Sequence, residues 1–224
     1  MFVAELFYSI QGEGKLAGVP SVFIRTSGCN LRCVWCDTPY TSWNPEGEHQ
    51  SLDRILAYVQ EHSTGHVVVT GGEPMIAPEI VPLTRALREA GQHITIETAG
   101  TVYQPVSCDL ISISPKLANS TPEGEWRERH ENLRSQPDVL RRLLWPFPDS
   151  QLKFVVFSEA DLVEIRQIVS EVGAPKENVL LMPEGTDAAT LAERSLWVSE
   201  ICKLHGYRFC PRLQISLYGN LRGT

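Results

Sequence analysis

Short runs of apolar and β-branched residues alternate along this chain with segments in which apolar residues recur every three or four positions. Near-continuous Val, Ile and Leu are typical of strands buried on both faces, as in a parallel sheet covered by helices. The predicted strands are Ser21–Thr26, His66–Thr70, His93–Thr98, Leu110–Ser114, Leu152–Phe157 and Val179–Met182. The predicted helices are Ser51–His62, Ile80–Ala90, Ser158–Val172 and Ala188–His205.

This alternation of strands and helices predicts an α/β fold with a parallel sheet. Six βα units are too few to close an eight-stranded barrel, so we expect one domain, residues 1–224, shaped as a partial, open parallel β/α barrel. Residues 119–150 interrupt the rhythm, because they are rich in Glu, Arg, Pro and Asn around one short apolar cluster. We interpret them as a surface insertion that could serve as a lid.

Composition narrows the classes of function. The 224 residues carry a net charge of −7 and are 42% hydrophobic, which permits a sizeable core and argues against a nucleic-acid-binding surface. The chain has no run of about 18 apolar residues that could span a membrane, and its start lacks the pattern of a signal peptide. We therefore expect a cytoplasmic protein with reduced thiols, and neither a nucleic-acid nor a membrane partner.

Three of the six cysteines, Cys29, Cys33 and Cys36, lie in one short loop with C-x3-C-x2-C spacing. Three thiolates can hold three corners of a cubic iron–sulfur cluster, and with no fourth cysteine near them one iron would be open to bind a reactant. A zinc site and unpaired structural thiols are the other interpretations, although the first histidine downstream, His49, is thirteen residues past Cys36. The scattered cysteines are expected to be small buried side chains: Cys108, Cys202 and Cys210.

Polar residues follow the predicted strands, where the active-site loops of a parallel fold gather. Thr70–Pro74 has the sequence Thr-Gly-Gly-Glu-Pro, whose glycines let the backbone approach a ligand and whose carboxylate could hold an ammonium group. Glu97–Thr101 and Ser114–Lys116 place further polar side chains at the next two strand ends. We expect these loops to form one binding site.

Four features near the cysteine loop suggest further ligands. Gln11–Gly14 suits either a structural turn or a loop wrapped on a small polar molecule. Arg25 lies in an apolar strand, so it either extends to solvent or meets an anion, and a carboxylate fits its planar fork. The Thr38 hydroxyl could bind magnesium or cap a turn, and Trp35 could exclude water from a cluster or simply pack.

Together these motifs resemble the radical S-adenosylmethionine superfamily, which has a Gly-Gly-Glu-Pro motif where this chain has Gly71–Pro74. Within that superfamily the chain is similar to the 7-carboxy-7-deazaguanine synthases, and the similarity covers Phe7–Gly14, Gly18–Thr38, Val67–Pro74, Ile96–Thr101 and Ser114–Lys116. It implies the open barrel of radical S-adenosylmethionine enzymes. It also implies conversion of 6-carboxy-5,6,7,8-tetrahydropterin to 7-carboxy-7-deazaguanine, a carbon–nitrogen lyase reaction with ring contraction and loss of ammonia in 7-deazapurine and queuosine biosynthesis.

The resemblance further implies roles for individual residues and partners. It assigns a 4Fe–4S cluster to Cys29, Cys33 and Cys36, and Mg²⁺ to Thr38. It assigns S-adenosyl-L-methionine to Trp35, Asp37, Gly72, Glu73, Ser114 and Lys116. It assigns the pterin substrate to Ile10, Gln11, Gly12, Glu13, Arg25 and Thr70, with Arg25 taking its carboxylate. It also implies a homodimer and a flavodoxin- or ferredoxin-type reductant.

Two other functions remain open at this point. An activase that installs a glycyl radical on a partner protein would share the cysteines and the Gly-Gly loop, but it does not explain Gln11–Gly14, Arg25 and Asp37-Thr38 together. A non-catalytic zinc-binding interaction module would hold one zinc ion and no iron. The chain also departs from many synthases, which have Gln-Thr-His-Lys-Tyr where it has Gln-Ile-Ser-Leu-Tyr at Gln214–Tyr218.

Overall fold

The fold is built on one nine-stranded sheet, seen in a computed structural model that describes residues 1–147 and 149–224. The strands are β1 (Phe2–Ile10), β2 (Pro20–Thr26), β3 (Glu48–His49), β4 (His66–Gly71), β5 (His93–Thr98), β6 (Leu110–Ile113), β7 (Ser150–Val156), β8 (Val179–Pro183) and β9 (Arg208–Phe209). The helices are α1 (Pro39–Ser42), α2 (Leu52–Gln60), α3 (Ile80–Glu89), α4 (Arg127–Arg134), α5 (Pro137–Leu144), α6 (Asp161–Val172), α7 (Ala188–His205) and α8 (Leu213–Tyr218).

The sheet is open and mostly parallel. Its order is β3-β1-β2-β4-β5-β6-β7-β8-β9, and every pairing from β2 to β9 is parallel. This confirms the predicted open parallel α/β fold, and all six predicted strands are present. Three further strands, β1, β3 and β9, were not predicted from the sequence. β1 pairs antiparallel with β2 and mixes polar and apolar residues, so it lacks the continuous apolar run that marked the buried strands.

All four predicted helices are present, as α2, α3, α6 and α7. The Ser51 hydroxyl accepts the Arg54 N–H at 3.2 Å and caps α2 as predicted. α6 begins at Asp161 rather than Ser158, because the Asp161 carboxylate accepts the N–H groups of Phe157 and Ser158 in a turn before the helix. None of the helices in the described part of the chain is both long and apolar enough to cross a membrane.

Residues 119–150 contain two helices, α4 and α5, rather than a surface loop. α5 buries Leu140, Leu143 and Leu144 in the same core as the parallel strands, and it forms part of the crossover from β6 to β7. The expectation of a surface insertion therefore does not hold for this part of the segment. Most of its charged residues are exposed, but Arg134 on α4 is largely buried and pairs with Glu164.

Successive residues of each parallel strand point to opposite faces of the sheet. One face carries the aliphatic core under the helices, as at Val69 on β4 and Ile96 on β5. The neighbouring residues Thr70 and Glu97 point to the concave face, which also receives Lys153 from β7. The fold thus separates an apolar layer from a polar concave surface.

Candidate active site

The concave face encloses a cavity of about 410 Å³ at the C-terminal ends of the strands. It brings together nearly all of the side chains predicted to form a site: Ile10, Gln11, Gly12, Glu13, Arg25, Cys29, Cys33, Trp35, Cys36, Asp37, Thr38, Thr70, Gly72, Ser114 and Lys116. The exception is Glu73, which is buried behind the cavity wall. The individual roles of these residues stay predictions, but their common location fits a single small-molecule site.

The cysteine loop connects β2 to α1, and all three sulfur-bearing residues line the cavity. Cys29 Sγ accepts the Leu31 N–H at 3.4 Å, and Cys36 Sγ lies 3.3 Å from the Ser42 hydroxyl. The Cys33 carbonyl accepts the indole N–H of Trp43 at 3.0 Å, and Cys33 packs with Leu31 in a small apolar cluster. The loop therefore presents its thiols to one ligand in a fixed arrangement.

The three cysteines suit a cluster better than a single zinc ion. Among the residues that the structure describes, no three His, Cys, Asp or Glu side chains come close enough to share one metal ion. In a cubane each thiolate binds its own iron, whereas four ligands converge on one tetrahedral zinc. Burial raises the pKa of Cys29 to about 12 and that of Cys33 to about 11, so both are neutral thiols until a bound metal displaces their protons.

A wall formed by residues 119–130 supports the back of the cysteine loop. The buried His130 accepts the Arg32 N–H at Nδ1 over 3.1 Å, and its Nε2 lies 2.9 Å from the Ser120 hydroxyl. The Ser120 carbonyl accepts the Val34 N–H at 3.0 Å. Because Nδ1 is an acceptor, the ring is neutral with its proton on Nε2. The sequence offered no signal for His130, since Arg32 lies 98 positions away in the chain.

Acidification is expected to destabilise the protein through His130. Burial lowers the pKa of His130 from 6.5 to about 4, so the folded state keeps the ring neutral where the unfolded chain already binds a proton. The stabilisation by the neutral ring is complete above about pH 6.5 and is lost as the pH falls toward about 4. Urea unfolding at about pH 7 and pH 5 should show a larger loss for the parent than for His130→Gln, whereas equal losses would contradict this assignment.

The Gly-Gly loop at the end of β4 lies directly against the cysteine loop. A Cβ on Gly72 would lie 2.1 Å from the Gly28 carbonyl oxygen, and the Glu73 N–H donates to that oxygen at 3.0 Å. Gly71 has φ +125°, which side-chain-bearing residues rarely adopt. The paired glycines therefore serve a close approach between two protein loops, in addition to any approach to a ligand.

The Glu73 carboxylate is fully engaged within the protein. One oxygen accepts the Met75 N–H at 3.0 Å and the Thr98 hydroxyl at 2.7 Å, and the other accepts the Ala99 N–H at 2.8 Å. Burial raises the pKa of Glu73, and these hydrogen bonds oppose that shift. The carboxylate thus ties the end of β4 to the end of β5. Because Glu73 does not line the cavity in this structure, its predicted contact with a cofactor stays a prediction.

A buried ion-pair network forms another side of the cavity. Glu13 pairs with both Lys153 and Arg212, and Arg212 also pairs with Asp37, beside the last cysteine. Burial by itself would raise the pKa of Glu13, but the charges of Lys153 and Arg212 outweigh it and hold the pKa at about 2. The network fixes the Gln11–Gly14 loop relative to the cysteine loop. Lys153 could have been predicted as a site residue in the same way as Arg25, because it is a single charged residue in an apolar strand.

Glu97 faces the cavity and joins two residues predicted to bind substrate. It accepts the side-chain N–H of Gln11 at 3.1 Å on one oxygen and the hydroxyl of Thr70 at 2.9 Å on the other. Gln11 is buried, and its own oxygen accepts the Glu13 N–H at 3.1 Å. This arrangement gives the cavity a carboxylate with fixed orientation, which can accept hydrogen bonds from ring N–H groups of a ligand.

Arg25 meets a carboxylate, as its position in an apolar strand suggested. Its Nε lies 2.7 Å from an oxygen of Glu5, which also accepts the Tyr40 hydroxyl at 2.8 Å. The guanidinium lies 5.1 Å from the centre of the Phe7 ring at the cavity wall. Arg25 therefore lines the cavity while its Nε is paired with Glu5.

Comparison with known proteins identifies the family. Residues 23–133 match the Radical SAM superfamily. The chain is 46% identical to the 7-carboxy-7-deazaguanine synthase of Rhodopirellula baltica, over 100% of this chain and 89% of that protein. It is also 46% identical to the 7-carboxy-7-deazaguanine synthase of Halobacterium salinarum, over 99% of this chain and 92% of the relative.

A solved structure supports the same fold. The crystal structure of QueE from Escherichia coli superposes with a TM-score of 0.69, covers 93% of this chain and 92% of its own, and is 24% identical in sequence. At that identity the likeness concerns the fold alone. The sequence identity over the full chain, the radical SAM region and the shared cavity motifs show that this chain belongs to the 7-carboxy-7-deazaguanine synthase family of radical SAM enzymes.

Proposed function

We propose that this chain converts 6-carboxy-5,6,7,8-tetrahydropterin to 7-carboxy-7-deazaguanine, acting as a carbon–nitrogen lyase that contracts the ring and releases ammonia. The observation that carries the proposal is the cavity itself. Its wall combines three cysteines with the Gln11–Gly14 loop and with Arg25. The radical chemistry belongs to the family, and the polar groups opposite the cysteines fit a flat, carboxylated heterocycle.

The cysteine side of the cavity would hold the cluster and S-adenosylmethionine. When bound, these two groups supply the radical that starts the reaction. Lys116 carries a positive charge at this side, where its Nζ lies 2.8 Å from the Ser114 hydroxyl and 5.8 Å from the centre of the Trp35 ring. This ammonium suits the carboxylate of the cofactor, and the backbone of Gly72 suits its amino group.

The opposite side would hold the pterin. Glu97 can accept hydrogen bonds from ring N–H groups, while Gln11 and Thr70 fix the direction of its carboxylate. Arg25 offers the two terminal nitrogens of its guanidinium to the substrate carboxylate, a charge-assisted contact that matches the carboxylate geometry. We assign Mg²⁺ to the Thr38 hydroxyl, which lines the cavity next to the last cysteine and could share the ion with substrate oxygens.

Replacing Arg25 with alanine is expected to weaken pterin binding and leave cofactor cleavage in place. Losing a charge-assisted contact should raise the KM for the pterin by about tenfold to a hundredfold, because such a bond contributes about 1.5–3 kcal/mol. Cleavage of S-adenosylmethionine by the chemically reduced protein, measured without pterin, should stay close to that of the parent. Arg88→Ala is the matched control, because it removes a half-exposed arginine of α3 that is also paired with a carboxylate, that of Asp109. Lost cleavage with an unchanged KM would contradict the role of Arg25.

The cellular location, oligomeric state and reductant of the protein are also part of the proposal. We infer a cytoplasmic homodimer that receives electrons from a flavodoxin- or ferredoxin-type protein, since the family's cluster must be reduced before it reacts. Analytical ultracentrifugation of the protein with its cluster tests the dimer. Turnover with a reduced flavodoxin or ferredoxin, in place of a chemical reductant, tests the partner.

Anaerobic incubation with carboxytetrahydropterin, S-adenosylmethionine and reductant is the decisive experiment, with the product identified by mass. The expected product is 7-carboxy-7-deazaguanine, formed without any protein partner. If no pterin is consumed and a partner protein instead acquires a glycyl radical, the activase interpretation replaces this one. If the purified protein holds one zinc and no iron, the enzyme proposal fails altogether.

A further inference from the structure

A serine hydroxyl lies against one of the three cysteine sulfurs. Ser42 is the last residue of α1, is only 3% exposed, and places its Oγ 3.3 Å from Cys36 Sγ. Within the described residues the hydroxyl has no other hydrogen-bond partner. A cysteine that binds iron is a thiolate and has no proton to give, so the hydroxyl must be the donor in the loaded protein.

We propose that Ser42 is a positioning residue that donates a hydrogen bond to the Cys36 thiolate and thereby raises the reduction potential of the cluster. The inference rests on the proposed function only in requiring that the three cysteines hold the cluster. Hydrogen bonds to the sulfurs are among the factors that set the potential of such clusters. Reduction adds negative charge that the sulfurs share, so a donor stabilises the reduced form more than the oxidised form.

Burial makes this hydroxyl matter more than an exposed one. Water could replace a donor at the surface, but Ser42 is only 3% exposed, in the wall of the cavity, and its hydroxyl lies 3.3 Å from the sulfur. Cys29 receives a comparable bond from the Leu31 backbone N–H, which substitution cannot remove. The Ser42 hydroxyl is thus a side-chain contribution to the potential that a substitution can test directly.

The hydroxyl is not needed to build the helix that carries it. α1 and its surroundings are held by backbone bonds, from the Thr41 N–H to the Thr38 carbonyl at 2.9 Å and from the Gly28 N–H to the Thr41 carbonyl at 2.8 Å. The Thr41 hydroxyl adds a bond to the same Thr38 carbonyl at 2.9 Å. Ser42→Ala leaves all of these in place, so we expect the variant to fold and to bind iron as the parent does.

An anaerobic redox titration of the reconstituted protein, followed by electron paramagnetic resonance of the reduced cluster, tests the proposal. At an applied potential equal to the parent's midpoint potential, the ratio of oxidised to reduced cluster in Ser42→Ala should be about threefold to tenfold higher than in the parent. A tenfold ratio corresponds to about 59 mV for a one-electron couple. Ser27→Ala is the matched control, because it removes a buried hydroxyl from the same loop that has no hydrogen-bond partner, and its midpoint should equal that of the parent.

A midpoint for Ser42→Ala equal to that of the parent, at equal iron and sulfide content, would overturn the proposal. If Ser42→Ala binds less iron, Ser42→Thr becomes the deciding variant. It keeps the hydroxyl, so a parent-like midpoint supports the proposal and a shift to lower potential refutes it. Pterin turnover plays no part in this comparison. Failure of the parent to make 7-carboxy-7-deazaguanine would therefore reject the proposed function without altering the outcome for Ser42.

Discussion

Replacing Cys33 with alanine is expected to reduce bound iron to background and to abolish both cofactor cleavage and pterin turnover. In the proposed site three thiolates would hold three irons of the cluster and the fourth iron would be left for the cofactor, so no other cysteine could replace a lost ligand. Cys33 is 8% exposed and packs with Leu31 and Ala99, which cannot bind iron. Iron and sulfide analysis after anaerobic reconstitution, with quantification of 5′-deoxyadenosine, checks the expectation.

Cys108→Ala provides the matched control for this substitution. Cys108 is also 8% exposed, but it lies in the main hydrophobic core and away from the cavity. The variant should bind iron and cleave the cofactor as the parent does. Iron content at the parent's level in Cys33→Ala would show that this thiol is not a ligand and would remove the basis of the site.

Replacing Lys153 with methionine is expected to lower the free energy of unfolding by about 3 kcal/mol. Breaking a buried ion pair from one side leaves an uncompensated charge, which costs about 3–5 kcal/mol, and the lower end applies because Arg212 stays beside Glu13. The side chains of Lys153 and Glu13 are 6% and 13% exposed, so water cannot readily solvate the carboxylate of Glu13 once the lysine is removed. Urea unfolding at neutral pH measures the change.

Lys203→Met is the control, because it shows what the replacement of an exposed, ion-paired lysine costs in stability. Lys203 pairs with Glu200 on α7, but its side chain is 72% exposed, so its removal should change the free energy of unfolding by less than about 1 kcal/mol. Equal losses in the two variants would mean that the pairing of Lys153 with Glu13 does not stabilise the fold. Of the two variants, only Lys153→Met is expected to weaken pterin binding, because Glu13 keeps Arg212 but loses one of the two cations that hold it.

Much of the fold could be predicted because buried parallel strands and amphipathic helices leave strong periodic patterns. Continuous Val, Ile and Leu marked β4, β5 and β8 to within a residue or two, and Gly206 marked the end of α7. The edge of the sheet was less visible. β1 is partly exposed and pairs antiparallel, so its mixed composition resembles that of many non-strand segments.

The site was predictable where its residues are close together in the chain. The cysteine loop, the Gly-Gly loop and the strand ends are local motifs, and the topology of a parallel sheet then brings them to one edge. Long-range pairings left no such mark. Arg212 reaches Glu13 across 199 positions, and His130 reaches Arg32 across 98, so neither partner could be identified from sequence. The composition of residues 119–150 concealed α5, because this helix is only eight residues long and lies in a segment rich in charged and polar residues.

The most direct test of the account is the metal content and spectrum of the anaerobically reconstituted protein, with and without S-adenosylmethionine. We expect about four irons and four sulfides per chain, and a resonance spectrum of the reduced cluster that changes when the cofactor is added, because the cofactor would bind the iron that lacks a cysteine. A protein that holds one zinc and no iron would contradict it. So would a reduced cluster whose spectrum is unaffected by the cofactor.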